Sequence, residues 1–379
     1  MQPLNYQKMS LKTDRSKQEN FVVWLFFPTV VAFYLVYKFP TLFVAADQVR
    51  NTFYFFGKST SFWYATLYSG IVCSIALWVI IRSHNPYSFG QIKPIPTYQR
   101  SKFTAIFFSQ LIVFYFIPFI LPGFTSGQEF FNDAYKPVNK DAYVYVYNGF
   151  TSLGGFLYIF ILVPILTWFV GKRYCSWFCA CGNLAETVGA TRFGQQWVRN
   201  CTPRSKTAQH FEWLQLTVLI FALIYGLVLF LDVWQIFVAV NLKIALQNMQ
   251  IFTIDFMFGA IIGVGAYPLF GTRLWCRYGC PLAQLMKLFG KLSLSQAKIV
   301  ANTDCRGIGE CSKVCPMGID VKSFAYQNGK PIAGAYGLNH TPCISCGSCI
   351  AACPTEALRF ATVFSKMSTD TQAKLSAKG

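Results

Sequence analysis

The chain has 379 residues, 54% of them hydrophobic and 18% aromatic, with only 13% charged and a formal net charge of +18. A soluble chain averages about 25% charged residues, so this composition excludes an ordinary soluble enzyme. No nucleic-acid-binding signature accompanies the Lys and Arg excess, which leaves the lipid bilayer as the expected partner and no nucleic acid.

Residues 1–20 are polar and read as a tail without the short apolar core of a cleavable signal. Six apolar blocks near the bilayer-spanning length follow: Phe21–Tyr37, Phe62–Ile81, Phe103–Leu121, Leu153–Val170, Leu214–Leu231 and Ile251–Phe270. The expected fold is mainly α, a polytopic membrane helix bundle over residues 21–299. Lys8, Lys12, Arg15 and Lys17 lie before the first block. Arg82, Lys93, Arg100 and Lys102 follow the second, and Lys172, Arg173, Arg192, Arg199, Arg204 and Lys206 follow the fourth. The opposite loops carry fewer cations (Lys38, Arg50, Lys58, Lys136, Lys140 and Lys243). Positive loops stay inside, so both termini are expected in the cytoplasm, with the bundle in a bacterial inner membrane.

Between the third and fourth blocks, Tyr143, Tyr145 and Tyr147 suggest a docking surface or an interfacial aromatic belt. In the sixth block Asp255 is expected one turn inside the outer end. It is the candidate for proton exchange with a quinone, ahead of Asp232 and Gln110. Gly259 and Gly263 have a helix-packing spacing. His84, His210 and His340 fall outside the blocks and no C-x-x-C-H occurs, so no haem is expected.

Fourteen Cys without a secretory signal point to metal rather than disulfides. After the fourth block comes Gly-Lys-Arg-Tyr-Cys175-Ser-Trp-Phe-Cys179-Ala-Cys181. After the sixth comes Gly-Thr-Arg-Leu-Trp-Cys276-Arg-Tyr-Gly-Cys280-Pro281. Each carries C-x3-C about 100 residues from the other, which reads as an internal repeat. Cysteines at i and i+4 share a helix face, so the two pairs are expected to offer four thiolates at the cytoplasmic interface. They would form a third iron–sulfur or metal centre, a redox thiol site or inert core, with Cys181 able to replace Cys179. Lys172, Arg173, Arg273 and Arg277 are placed to offset thiolate charge. Cys73 reads as core and Cys201 as a weak ligand candidate.

Residues 300–362 read as an α+β two-cluster ferredoxin domain and 363–379 as a flexible tail. Cys343-x2-Cys346-x2-Cys349-x3-Cys353-Pro354 is a cubane-cluster run, and Cys305, Cys311 and Cys315-Pro316 form a degenerate copy with Ile308 where a Cys would sit. The fourth Cys of each run serves the other cluster. Cluster B, a 4Fe-4S centre, thus takes Cys343, Cys346, Cys349 and Cys315. Cluster A has only Cys305, Cys311 and Cys353 and is expected to be 3Fe-4S, or 4Fe-4S with a further ligand from Asp304, Glu310 or His340.

From Leu153 to Leu358, two span-linked C-x3-C pairs followed by this ferredoxin tail resemble the NosR/NapH-type membrane polyferredoxins. In that family Pro usually follows each C-x3-C. Pro281 keeps it, whereas Ala180 and Cys181 follow Cys179. The resemblance implies an electron-transfer subunit working between a quinone pool or cytoplasmic donor and membrane or periplasmic redox partners. Two alternatives remain from the residues: an assembly reductase that delivers reduced copper, and a membrane redox sensor.

Overall fold

The computed structural model describes residues 16–361, apart from 46–47, 49–53, 89–91, 126, 128–129, 132–141, 197, 205, 237–239, 293–297 and 339–340. His340, the tail 363–379 and the basic residues Lys8, Lys12, Arg15, Arg50, Lys136 and Lys140 lie outside the described residues. Six helices are long and apolar enough to cross a membrane: Asn20–Lys38, Phe62–Arg82, Thr97–Phe119, Leu153–Val170, Thr207–Val233 and Val240–Gly265. The fold is mainly helical, with small sheets near the C-terminal end.

Two boundaries differ from the hydropathy reading. The third helix starts at Thr97, directly after Pro96, and its first turns contain Arg100 and Lys102. Those charges masked the helix in the sequence, yet Lys102 is fully buried. The sixth begins at Val240, because Asn241, Lys243, Gln247 and Asn248 dilute its first turns. Asp255 therefore lies in mid-helix, not one turn from an end. Wide π-turns run through Ser109–Phe116, Tyr158–Leu162 and Gln250–Gly265. Such turns are uncommon and collect at functional sites. The first two are followed at once by segments containing Pro118 and Pro164, which cannot donate to the helical ladder.

The spans pack through small residues and apolar stripes. Val72, Ala76 and Val79 of the second meet Phe103 and Ile106 of the third. The first lies on the sixth where a Cβ on Gly265 would stand 3.3 Å from Val30. The fifth buries Val218, Leu219, Ala222, Tyr225 and Leu229, the stripe a 3.6-residue period sets on one helix face. Ile220, Ile224 and Leu227 are exposed on the same helix and provide lipid-facing surface.

In the ferredoxin part, Lys298–Ala301 is the central strand of an antiparallel sheet. It pairs with Ala335–Gly337 (Ile299 opposite Tyr336) and with Leu358–Ala361 (Ile299 opposite Phe360). Helices Glu310–Lys313 and Ser348–Ala351 carry Cys311 and Cys349. Each follows a glycine in the left-handed region, Gly309 at φ 88° and Gly347 at φ 72°, a conformation that costs glycine little. One continuous apolar core runs from Tyr143 and the fifth span through the C-x3-C segments to Tyr336 and Leu358. The ferredoxin part is thus packed onto the bundle rather than tethered beside it.

Candidate metal centre

Each C-x3-C straddles a break between helices. The fourth span ends at Val170, and Gly171 turns the chain at φ 64°, ψ −150°. Cys175 lies in the short helix Arg173–Trp177, and Cys179 is extended at φ −70°, ψ 130° just before the helix Ala180–Ala190. The second copy repeats this. Gly271 turns at φ 85°, ψ 168°, Cys276 lies in the wide turn Trp275–Gly279, and Cys280 is extended before Pro281–Leu292. The expectation of one helix face per pair is therefore corrected. The helical ladder stops at Phe178 and Gly279, and in the second copy Pro281 forces Cys280 out of the helical region.

The two breaks face each other and bring Cys175, Cys179, Cys276 and Cys280 within electrostatic reach of one another. Burial first, then the neighbouring thiols, pushes Cys175 up to about 12. Cys276 and Cys280 are raised by burial in the same way. Cys179 is lowered to about 7, first by its hydrogen bond with Cys181 and also by the backbone N–H of Gly182. Cys181 is thus a hydrogen-bond partner of Cys179. Gln215 Nε2 fastens the second break, donating to the carbonyls of Cys276 (2.8 Å) and Cys280 (3.1 Å). The Cys175 thiol points at Met286 Sδ, 3.7 Å away. Cys73 instead contacts the Phe107 carbonyl at 3.8 Å, apart from this set.

Of the four expected counter-cations, Lys172 and Arg273 are each 1% exposed and face the thiols. Arg273 Nη1 donates to Cys276 Sγ (3.6 Å) and to the Cys175 carbonyl (2.9 Å). Arg277 is committed to Glu212 (3.0 Å), and Arg173 lies over the rings of Tyr98 and Phe360. Buried cations need negative partners. A thiolate-ligated iron–sulfur cluster, soft in its ligands and net negative, fits this donor set. Among the described residues there is no group of three or more His, Cys, Asp or Glu side chains that could hold a single metal ion.

In the ferredoxin part, Cys343, Cys346, Cys349 and Cys315 form one electrostatically linked group and Cys305, Cys311 and Cys353 another. Burial raises Cys343 to about 12 and Cys315 to about 11. Tyr336 Oη lies 3.0 Å from Cys349 Sγ, a hydrogen bond that sequence spacing gave no way to find. Of the further ligand candidates for cluster A, Asp304 accepts from Asn302 (2.6 Å) and Glu310 pairs with Lys313 (2.8 Å). Ile308 is 53% exposed and its apolar side chain offers no ligand atom.

The cluster B loop docks by its carbonyls. Tyr98 Oη donates to Ser345 O (2.5 Å), Gln99 Nε2 to Cys346 O (3.0 Å), Ser176 Oγ to Ile344 O (3.0 Å) and Asn85 Nδ2 to Ala351 O (2.7 Å). Ser176 follows Cys175 in the chain and Ile344 follows Cys343, so one hydrogen bond joins the two thiol groups. Glu186 is 4% exposed between Lys102 and Arg273. Burial works to raise its carboxyl, but the two cations outweigh burial and hold it below the usual range.

A cavity of about 110 Å³ opens between the first, second, third and sixth spans. Tyr34, Tyr64 and Tyr68 line it, Asp255 forms part of the wall, and Cys181 and Cys276 form another part. Asp255 Oδ1 accepts from Tyr143 Oη (2.7 Å) and Gln250 Nε2 (3.2 Å). Tyr143 and Tyr147 are buried, against Trp275 and Tyr225, and so are not displayed for docking. Gly259 and Gly263 also line the cavity and leave room for Trp275, rather than seating a neighbouring span. Gln110 is occupied by Ser69 (2.9 Å) and Asn183 (3.3 Å), and Asp232 by Lys243.

A 4Fe-4S binding domain family matches residues 153–199 and again 252–299, so each copy contains one C-x3-C. A second 4Fe-4S binding domain family matches 338–359. An uncharacterized protein of Methanocaldococcus jannaschii is 24% identical over 57% of this chain and 83% of its own length. The ferredoxin-type protein NapH of Haemophilus influenzae is 24% identical over 51% of this chain and 63% of its length. YccM of Escherichia coli, assigned by name to electron transport, is 27% identical over 52% of each. The chain thus spans under two thirds of NapH and about half of YccM. No solved structure matches.

Proposed function

We propose that this chain, an iron–sulfur electron-transfer protein of the NapH and YccM type, relays electrons between a membrane quinol pool and a partner redox protein. Its route would run through a membrane-face centre and two ferredoxin clusters. The observation that carries the reading is the meeting of Cys175, Cys179, Cys276 and Cys280, one hydrogen bond from the cluster B loop. These four would hold the membrane-face centre. Cys343, Cys346, Cys349 and Cys315 would hold a four-iron cluster, and Cys305, Cys311 and Cys353 a three-iron one. When bound, such clusters supply one-electron steps. The chain's own residues bind and insulate. Lys172 and Arg273 offset thiolate charge, and the spans exclude water from it.

The quinol end rests on the tyrosine-lined cavity. At about 110 Å³ it is somewhat smaller than the engineered apolar cavity of about 150 Å³ that takes a benzene ring. Asp255 would accept one of the two protons released as a quinol gives two electrons, one at a time, to the clusters. The bundle would lie in a bacterial inner membrane with the ferredoxin part in the cytoplasm, where Arg204 grips the carbonyls of Ser312 and Lys313. Copper delivery is the second reading, favoured by the Met286 thioether beside Cys175, since thiolate and thioether suit Cu(I).

Low-temperature EPR with iron and copper quantitation on the purified protein tests both. The relay requires about eleven iron atoms per chain, a three-iron signal when oxidised and four-iron signals when reduced. About seven irons with no third centre would remove the membrane-face cluster, and stoichiometric copper would transfer the assignment to metal delivery.

A further inference from the structure

Glu186 joins two cations that end at different thiol groups. Its Oε1 accepts from Arg273 Nη2 and its Oε2 from Lys102 Nζ at 2.7 Å. Beyond the carboxylate, Arg273 Nη1 reaches Cys276 Sγ at 3.6 Å, while Lys102 Nζ reaches the Cys346 carbonyl at 3.3 Å. Lys102 is fully enclosed, Arg273 is 1% exposed and Glu186 4%. A buried cation–anion–cation set is a poor device for stability, since apolar side chains of similar volume do as well or better. It is an effective device for holding charge at fixed distances where solvent does not screen it. Donors aimed at cluster sulfurs, and fixed charge nearby, are what tune a cluster's reduction potential.

We propose that Glu186 is a positioning residue whose carboxylate, fixed between Arg273 on Cys276 and Lys102 on the Cys346 carbonyl, offsets those cations and so lowers the potentials of the membrane-face centre and cluster B together. This rests on the relay reading above. The signs follow from charge. Reduction adds an electron, so removing the Glu186 anion favours it at both centres. Removing the Arg273 cation disfavours it chiefly at the membrane-face centre, and removing the Lys102 cation chiefly at cluster B.

The test is an EPR-monitored redox titration of the full-length protein and its E186Q, R273Q and K102M variants, each with iron quantified per chain. E186Q is expected to raise both midpoints, R273Q to lower the membrane-face midpoint most, and K102M to lower the cluster B midpoint most. R273K, which keeps the charge, is expected to restore most of the R273Q shift. Full iron with unmoved midpoints in E186Q, or shifts of the same sign in all three variants, would overturn the proposal. Should E186Q lose iron, K102M decides, and an unmoved cluster B midpoint there is equally fatal. Absence of any membrane-face signal in the unmodified protein would instead overturn the relay reading itself.

Discussion

Replacing Asp255 by Asn separates chemistry from packing at the cavity. Oδ1 of Asp255 accepts from Tyr143 at 2.7 Å and Gln250 at 3.2 Å. An amide oxygen can keep both bonds, so the change in stability should stay within about 1 kcal/mol. What the amide cannot do is take a proton from a quinol. Loss of a positioned general base costs roughly 10²–10⁴ in rate, or about 3–5 kcal/mol in barrier. The assay mixes oxidised protein with a short-chain quinol in a stopped-flow instrument and follows bleaching of the iron–sulfur absorbance, with dithionite as a control that needs no proton acceptor. Asp255→Asn should slow the quinol reaction by that factor and leave the dithionite reaction alone. A quinol rate within about threefold of the unmodified protein would refute the assignment of Asp255 and of the cavity.

Three further outcomes follow from the geometry. Ile308→Cys should supply the missing corner of cluster A, removing the three-iron EPR signal and adding about one iron per chain. Gly182→Ala would place a Cβ 2.0 Å from the Cys175 carbonyl and 3.2 Å from Arg273 Nη1. It should cost about 1–3 kcal/mol by overpacking and lose the membrane-face centre while sparing the ferredoxin clusters, as iron content and thermal unfolding would show. Cys179→Ser should abolish the membrane-face signal, whereas Cys181→Ser should retain it, so the reverse pattern in EPR would exchange their roles.

Much of the architecture could be read without coordinates because hydropathy and cysteine spacing are local signals. The fourth span has the same limits in both readings, since Leu153–Val170 is uniformly apolar between Ser152 and Gly171. Local signals fail where a polar residue is buried by a distant partner. Lys102 reads as a loop charge only because its partner Glu186 is 84 residues away and invisible to any window. The start of the sixth span was hidden for a different reason, the exposed Asn241, Gln247 and Asn248 that dilute its first turns, and this shifted Asp255 from an edge to the interior of a helix. The thiol spacing marked Cys175, Cys179, Cys276 and Cys280 as a set, but not the break that presents them. That break needs Gly171 and Gly271 at backbone angles open to glycine alone, and Pro281 in the second copy. Tyr336, Ser176 and Gln215 carry no motif, and only the packed structure puts them beside the cysteines.

The carbonyl docking of the cluster B loop also sets an order of assembly. Asn85 waits for Ala351, 266 residues downstream, and Lys102 for Cys346, 244 residues downstream. At roughly 5–20 residues per second of synthesis, the early spans stand in the bilayer for about 12–50 s before those carbonyls exist. Glu186 follows Lys102 by 84 residues and so becomes its anionic partner only partway through that interval, while the Cys346 carbonyl that Lys102 and Gln99 share is made later. The segment that carries Ser345, Cys346 and Ala351, made after all six spans, is therefore the one that closes the polar face of the first half. A chain arrested before residue 340 would carry a bundle with an open polar face, a ready mark for proteolytic quality control.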